Sequence, residues 1–170
     1  MPCTVVPCTN SRIYPSPAPV FAFASSTSTV PKNPRPRYAT GLVSFPAPVQ
    51  YAHPPAATAF ACAGIPLDKP LLQEGVVQLG TVPVAPYALP GSQEVADSVA
   101  PFCKDYRAVL LEYHGAVAWG DSMQQAHYRL ECLEQTALVT LHFRTLGCTR
   151  TMPPELVKDL EALRPAWGIR

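Results

Sequence analysis

From residue 51 onward the apolar positions fall into short runs that alternate with amphipathic stretches, the pattern of an α/β domain. The small-residue stretch 56–64 predicts a short helix. Pro55 suits its first turn, where a missing N–H costs nothing, and Gly64 suits its end. The apolar runs 76–79 and 82–85 read as strands on either side of Gly80. Leu89-Pro90-Gly91-Ser92 then forms a turn that delivers Ser92 as N-cap of a helix through Val95, Val99 and Phe102. Residues 108–113 predict a strand with an unbroken apolar start, the sign of burial on both faces. Residues 116–119, bracketed by Gly115 and Gly120, read as its hairpin partner. The longest helix is expected to open at Asp121, with Gln124 three residues on completing a capping box. Met123, Ala126, Leu130, Leu133, Ala137 and Leu141 share one of its faces, and it should stop near Gly147. A last helix is expected from Pro154, with Leu156, Leu160 and Leu163 on one side and an end near Gly168.

The first fifty residues break this pattern. They hold four of the thirteen basic residues (Arg12, Lys32, Arg35, Arg37) and ten of the 21 prolines, and no acidic residue precedes Asp68. Such a Pro- and Ser-rich text buries too little apolar surface to offset its ordering entropy, so residues 1–50 are expected to be an atypical, poorly ordered segment and 51–170 the domain. The whole chain, at 170 residues and net charge +1, gives bulk electrostatics no reason to attract nucleic acid or an anionic membrane. No run of about 18 apolar residues spans a bilayer. Six cysteines lie at long spacings without a C-x-x-C pair, which points to free thiols in a reducing, cytoplasmic setting.

Candidate chemistry rests on the four histidines. His53 follows an apolar run and precedes Pro54-Pro55, which places it where a strand leads into a helix. His114 ends the strand 108–113 and precedes Gly115, which lets backbone or ligand approach closely. Two imidazoles at strand ends can converge on one metal, and each can equally serve as a hydrogen-bonded structural residue. His127 and His142 fall within the long helix, where a packing or solvated role is expected. The cysteines, Trp119 and Trp167 read as packing residues.

Several motifs occur in order: Ala52-His53-Pro54-Pro55-Ala56-Ala57-Thr58-Ala59-Phe60-Ala61, Gly64-Ile65-Pro66-Leu67, Val84-Ala85-Pro86-Tyr87-Ala88-Leu89-Pro90-Gly91-Ser92-Gln93-Glu94, and Val109-Leu110-Leu111-Glu112-Tyr113-His114-Gly115-Ala116-Val117-Ala118-Trp119-Gly120. With these the chain resembles the class II aldolase/adducin family over residues 51–170. The resemblance implies a central, mainly antiparallel sheet flanked by helices, with the N-terminal portion of the domain missing or degenerate. It also implies a divalent metal, commonly zinc, held by a His-x-His pair and the His of a His-Gly step. His53 matches the second ligand and His114 the third, while Tyr51 stands at the first. A phenol must lose a proton to ligate, whereas an imidazole ligates neutral, so metal binding is expected to be weak or absent.

By the same resemblance the function is that of a zinc-dependent aldehyde-lyase acting on a sugar phosphate or related hydroxycarbonyl, assembled as a homotetramer. The catalytic carboxylate of the family sits in a Ser-Ser-Glu context, and here Ser25-Ser26-Thr27 has none, so the catalytic acid/base is unassigned and turnover is expected to be impaired. Glu74 and Glu112 are substitutes that match no family motif. Two alternatives stay open: a non-catalytic, adducin-like scaffold module, and the product of a truncated or frame-shifted gene whose first fifty residues are foreign to the fold.

Overall fold

A four-stranded sheet carries the site at one of its ends. The structure, a computed structural model, describes residues 48–169, and the expectations for residues 1–47 lie outside the described residues. Along the chain run β1 (Val49–Ala52), α1 (Pro55–Cys62), α2 (Gln73–Gln78), β2 (Val84–Ala85), α3 (Gln93–Val99), β3 (Ala108–Leu111), β4 (Gly115–Trp119), α4 (Met123–Thr145) and α5 (Pro154–Ala162). Single 3₁₀ turns follow α3 at Ala100–Phe102 and α5 at Arg164–Trp167. β4 pairs antiparallel with β1 and β3, and β2 lies parallel to β3, so the sheet is mixed and mainly antiparallel.

Both faces of the central strands are covered, as their unbroken apolar text requires. One face packs on α1 and α4 through Ala57, Phe60, Ala61, Leu110, Ala116, Ala118, Leu133 and Ala137. The small residues of α1 let α4 come close, and the Glu134 carboxylate then reaches back to accept the backbone N–H groups of Ala56 and Ala57 at 2.9 and 2.8 Å. Those two groups belong to the first helical turn, which has no partner of its own. On the other face Val109, Val117 and Trp119 pack with Val99 of α3 and with Phe102 and Tyr106 beyond it.

Two expectations are corrected. Residues 76–79 do not form a strand: Val76 and Val77 belong to α2, and Leu79 is its C-cap. The reason is tertiary, because α2 is held from outside. A Cβ at Gly75 would meet Thr136 Oγ1 of α4 at 3.0 Å, and Arg164 donates to the carbonyls of Val76 and Val77 at 2.7 and 3.2 Å. The cap of α4 is Ser122, one residue later than Asp121. Its hydroxyl accepts from the Gln125 N–H at 3.1 Å, and Gln125 Oε1 accepts from the Asp121 N–H at 2.6 Å. The box is therefore Ser122 with Gln125, and a Cβ at Gly120 would meet that Gln125 oxygen at 2.7 Å.

Candidate functional site

Three side chains from three places meet at the end of the sheet. Alternation along an extended strand puts residues 49, 51 and 53 on one face, and Val49 joins the cluster under α3. Tyr51 follows on that face, opposite Val117 in the β1–β4 register. His53 stands just beyond β1, held by the extended Pro54 that opens α1. His114 comes from the connection between β3 and β4, a tight turn in which its N–H donates to Leu111 O at 2.9 Å and Tyr113 takes a left-handed φ of 57°. Gly115 lets β1 come up against this turn, because a Cβ there would lie 2.5 Å from Ala52 O and 3.1 Å from His53 Cδ2.

Tyr51 Oη lies 2.6 Å from His53 Nε2 and 2.5 Å from His114 Nε2. The three rings are mutually tilted, with centroids 4.9 to 5.2 Å apart. A phenol has one proton to give, so the two bonds together require one Nε2 to accept and the other to donate its own hydrogen. Burial pushes the Tyr51 phenol above its ordinary value. Burial, and then the neighbouring His53, push the His114 imidazole below its ordinary value. The arrangement thus favours the un-ionised phenol and the neutral His114 ring.

This geometry does not fit an ion held by the three side chains. Donor atoms about 2.0–2.1 Å from a tetrahedral zinc stand about 3.3 Å from one another. The Tyr51 oxygen is well inside that separation from both nitrogens. The un-ionised phenol is also the form that does not ligate. Among the described residues no group of three or more His, Cys, Asp or Glu side chains comes together elsewhere.

The carboxylates suggested as substitute acid/base lie in other duties. Glu112 accepts the Tyr87 N–H at 2.9 Å and so ties the segment after β2 to the His114 turn. Glu74 sits in the first turn of α2, where a carboxylate suits the helix N-terminus. His127 lies 3.6 Å from Glu131 one helical turn on, and His142 is exposed near the end of α4, so neither joins the cluster. The sequence reading missed a neighbouring aromatic pair: Tyr87 and Tyr113 stand edge to face with ring centroids 6.5 Å apart, and both are exposed. The signal was slight, since Val84-Ala85-Pro86-Tyr87 reads equally well as strand and turn packing.

The family model of the class II aldolase and adducin N-terminal domain matches residues 47–141. The 3-oxo-tetronate 4-phosphate decarboxylase of Escherichia coli (strain K12) is 39% identical over 69 residues, which cover 41% of this chain and 32% of that protein. The L-fuculose phosphate aldolase of Escherichia coli (strain K12) is 33% identical over 94 residues, covering 53% of this chain and 42% of that protein. The chain therefore spans less than half the length of these curated relatives. A solved L-fuculose 1-phosphate aldolase superposes with a TM-score of 0.60 at 28% identity, over 67% of this chain and 53% of that one. The fold is that of the class II aldolases, and the matched residues 47–141 contain β1, the His114 turn and most of α4. The chain belongs to the class II aldolase and adducin N-terminal domain family.

Proposed function

We propose that the chain is an aldehyde-lyase-type module for phosphorylated hydroxycarbonyl compounds whose turnover is impaired, with Tyr51, His53 and His114 as its reaction centre. The observation that carries this reading is the meeting of those three side chains at one end of the sheet. The relatives support the substrate class, because an aldolase and a decarboxylase of sugar-derived phosphates both break a C–C bond near a carbonyl. Such a cleavage leaves an electron pair that the carbonyl oxygen must take up. The Tyr51 hydroxyl or an Nε2–H of the cluster can donate a hydrogen bond to that oxygen. The cluster as arranged does not fit a metal ion, so these hydrogen bonds come from the side chains themselves.

The impairment follows from what the first 67 residues lack. Without an acidic residue there, no carboxylate corresponds to the family's acid/base. General acid–base catalysis contributes roughly 10²- to 10⁴-fold, so a loss of that order is expected. The test is a side-by-side assay with the Escherichia coli L-fuculose phosphate aldolase, on L-fuculose 1-phosphate and on 3-oxo-tetronate 4-phosphate, with zinc present. Cleavage slower by about 10³-fold and removed by His114→Ala is the expected result. A rate within about tenfold of that enzyme would overturn the impairment.

A second reading is favoured by Tyr51, which replaces an imidazole at the centre of the cluster. In that reading the chain is a non-catalytic module that assembles with copies of itself, with the four described cysteines free as a cytoplasmic setting allows. Neither turnover nor binding of the phosphorylated compounds, together with stable self-association, would select it.

A further inference from the structure

The position of one oxygen atom carries an inference that rests on the reading of the cluster as a lyase-type centre. Each imidazole offers a single in-plane site at Nε2, filled either by a hydrogen, by a hydrogen bond or by a metal. His53 and His114 both have Tyr51 Oη at hydrogen-bond distance from that site, at 2.6 and 2.5 Å. A zinc ion bound to both nitrogens would sit about 2.0–2.1 Å from each, in the space the phenolic oxygen occupies. Tyrosine reaches further from the backbone than histidine. An imidazole at position 51 would end short of that space and offer a lone pair to it, whereas the longer phenol ends within it.

We propose that the Tyr51 hydroxyl takes the place of an ion in this chain, joining His53 and His114 into a hydrogen-bonded triad that is closed to divalent metals. The triad satisfies itself. The phenol gives its hydrogen to one imidazole, the other imidazole gives its Nε2 hydrogen to the phenol, and no polar atom at the centre asks for a cation. Entry of a metal would break both hydrogen bonds and strip one Nε2 of its hydrogen. It would gain as third ligand only a phenol, which has to give up its proton before it can ligate. Position 51 then decides whether the site takes metal, and the two imidazoles are competent ligands held in waiting. Gly115 holds β1, and with it residue 51, in the register that brings this about.

The experiment measures zinc content by elemental analysis after dialysis of the full-length protein against excess zinc, for the parent, Tyr51→His, Tyr51→Phe and Tyr51→His/His114→Ala. The expected result is almost no zinc in the parent and in Tyr51→Phe, close to one per chain in Tyr51→His, and its loss in the double variant. A second measurement needs no metal. Long-range 1H–15N spectra of the histidines should show one Nε2 protonated and the other bare in the parent, and Tyr51→Phe should move both signals.

Zinc bound by the parent at one per chain, with the ultraviolet difference band of an ionised tyrosine and loss of binding in Tyr51→Phe, would overturn the proposal. Tyr51 would then be a ligand, and the lyase-type centre itself would stand. No zinc in Tyr51→His, together with histidine signals that Tyr51→Phe leaves unmoved, would mean that the three side chains do not meet. That outcome would overturn both the proposal and the reading of the centre on which it rests.

Discussion

Gly115 has no room for a side chain, because a backbone carbonyl, Ala52 O, stands in the way of any Cβ. A carbonyl held in the β1–β4 ladder has little room to give, unlike the far end of a flexible side chain. Gly115→Ala should therefore push β1 away from the His114 turn and cost about 2 kcal/mol, the range of over-packed core sites. Urea unfolding checks the cost, and an unchanged midpoint would mean that β1 does not approach here. His114 supplies a pH dependence. Its folded-state pKa lies below the ordinary value of 6.5, first through burial and then through the charge of His53. As pH falls, the unfolded chain takes up this proton first, so the unfolded state binds more protons and is favoured. Stability is thus full above the ordinary value and is lost as pH falls through it towards the lower folded value. The urea midpoint should drop between about pH 7.5 and about pH 5, and the drop should be smaller in His114→Gln. An equal drop in both proteins would place the effect elsewhere.

Among the elements, α1 and α4 are joined by more than apolar contact, because Glu134 on the long helix serves as the acceptor for the first turn of the short one. Glu134→Ala leaves two backbone N–H groups without a partner and should cost about 2 kcal/mol, with Glu134→Gln, which keeps one acceptor oxygen, costing about half. Thermal melts of both variants test this, and equal melts for parent and Glu134→Ala would deny the link. The element level also shows where sequence pattern suffices. α4 was legible because its apolar positions repeat through six turns, and α1 because Pro55 and Gly64 mark its ends. α2 was not, since six residues hold less than two turns of periodicity and Val76-Val77 favours a strand locally. Its helix is imposed by Thr136 and Arg164, both distant in sequence. His53 and His114 were legible from their places at strand ends. Their bridge through Tyr51 Oη was not, because residue type does not say whether a phenol lies beside a metal position or within it.

At the scale of the whole molecule the buried set explains itself, since both faces of the central strands are covered and Val109, Leu110, Ala116 and Ala118 are fully shielded. Among the described residues the sheet is therefore not left bare, and the exposed apolar surface lies elsewhere. The apolar side chains that stay exposed include Leu138 and Leu141 on the C-terminal half of α4, Leu146 at its C-cap, and Tyr87 with Tyr113 beside the site. Tyr113 is 66% exposed and also holds a left-handed φ of 57°, a conformation that costs a bulky residue energy and that asparagine accepts readily. If copies of the chain assemble across the end of the sheet, the weight-average mass should rise with concentration above the 18.3 kDa of one chain in sedimentation equilibrium. The double variant Tyr87→Ser/Tyr113→Asn should return it towards the monomer. The same variant should melt no lower than the parent at low concentration, because relief at position 113 is worth about 1 kcal/mol and neither ring is buried in the monomer. A parent that stays monomeric at every concentration would assign the tyrosine pair no role in assembly.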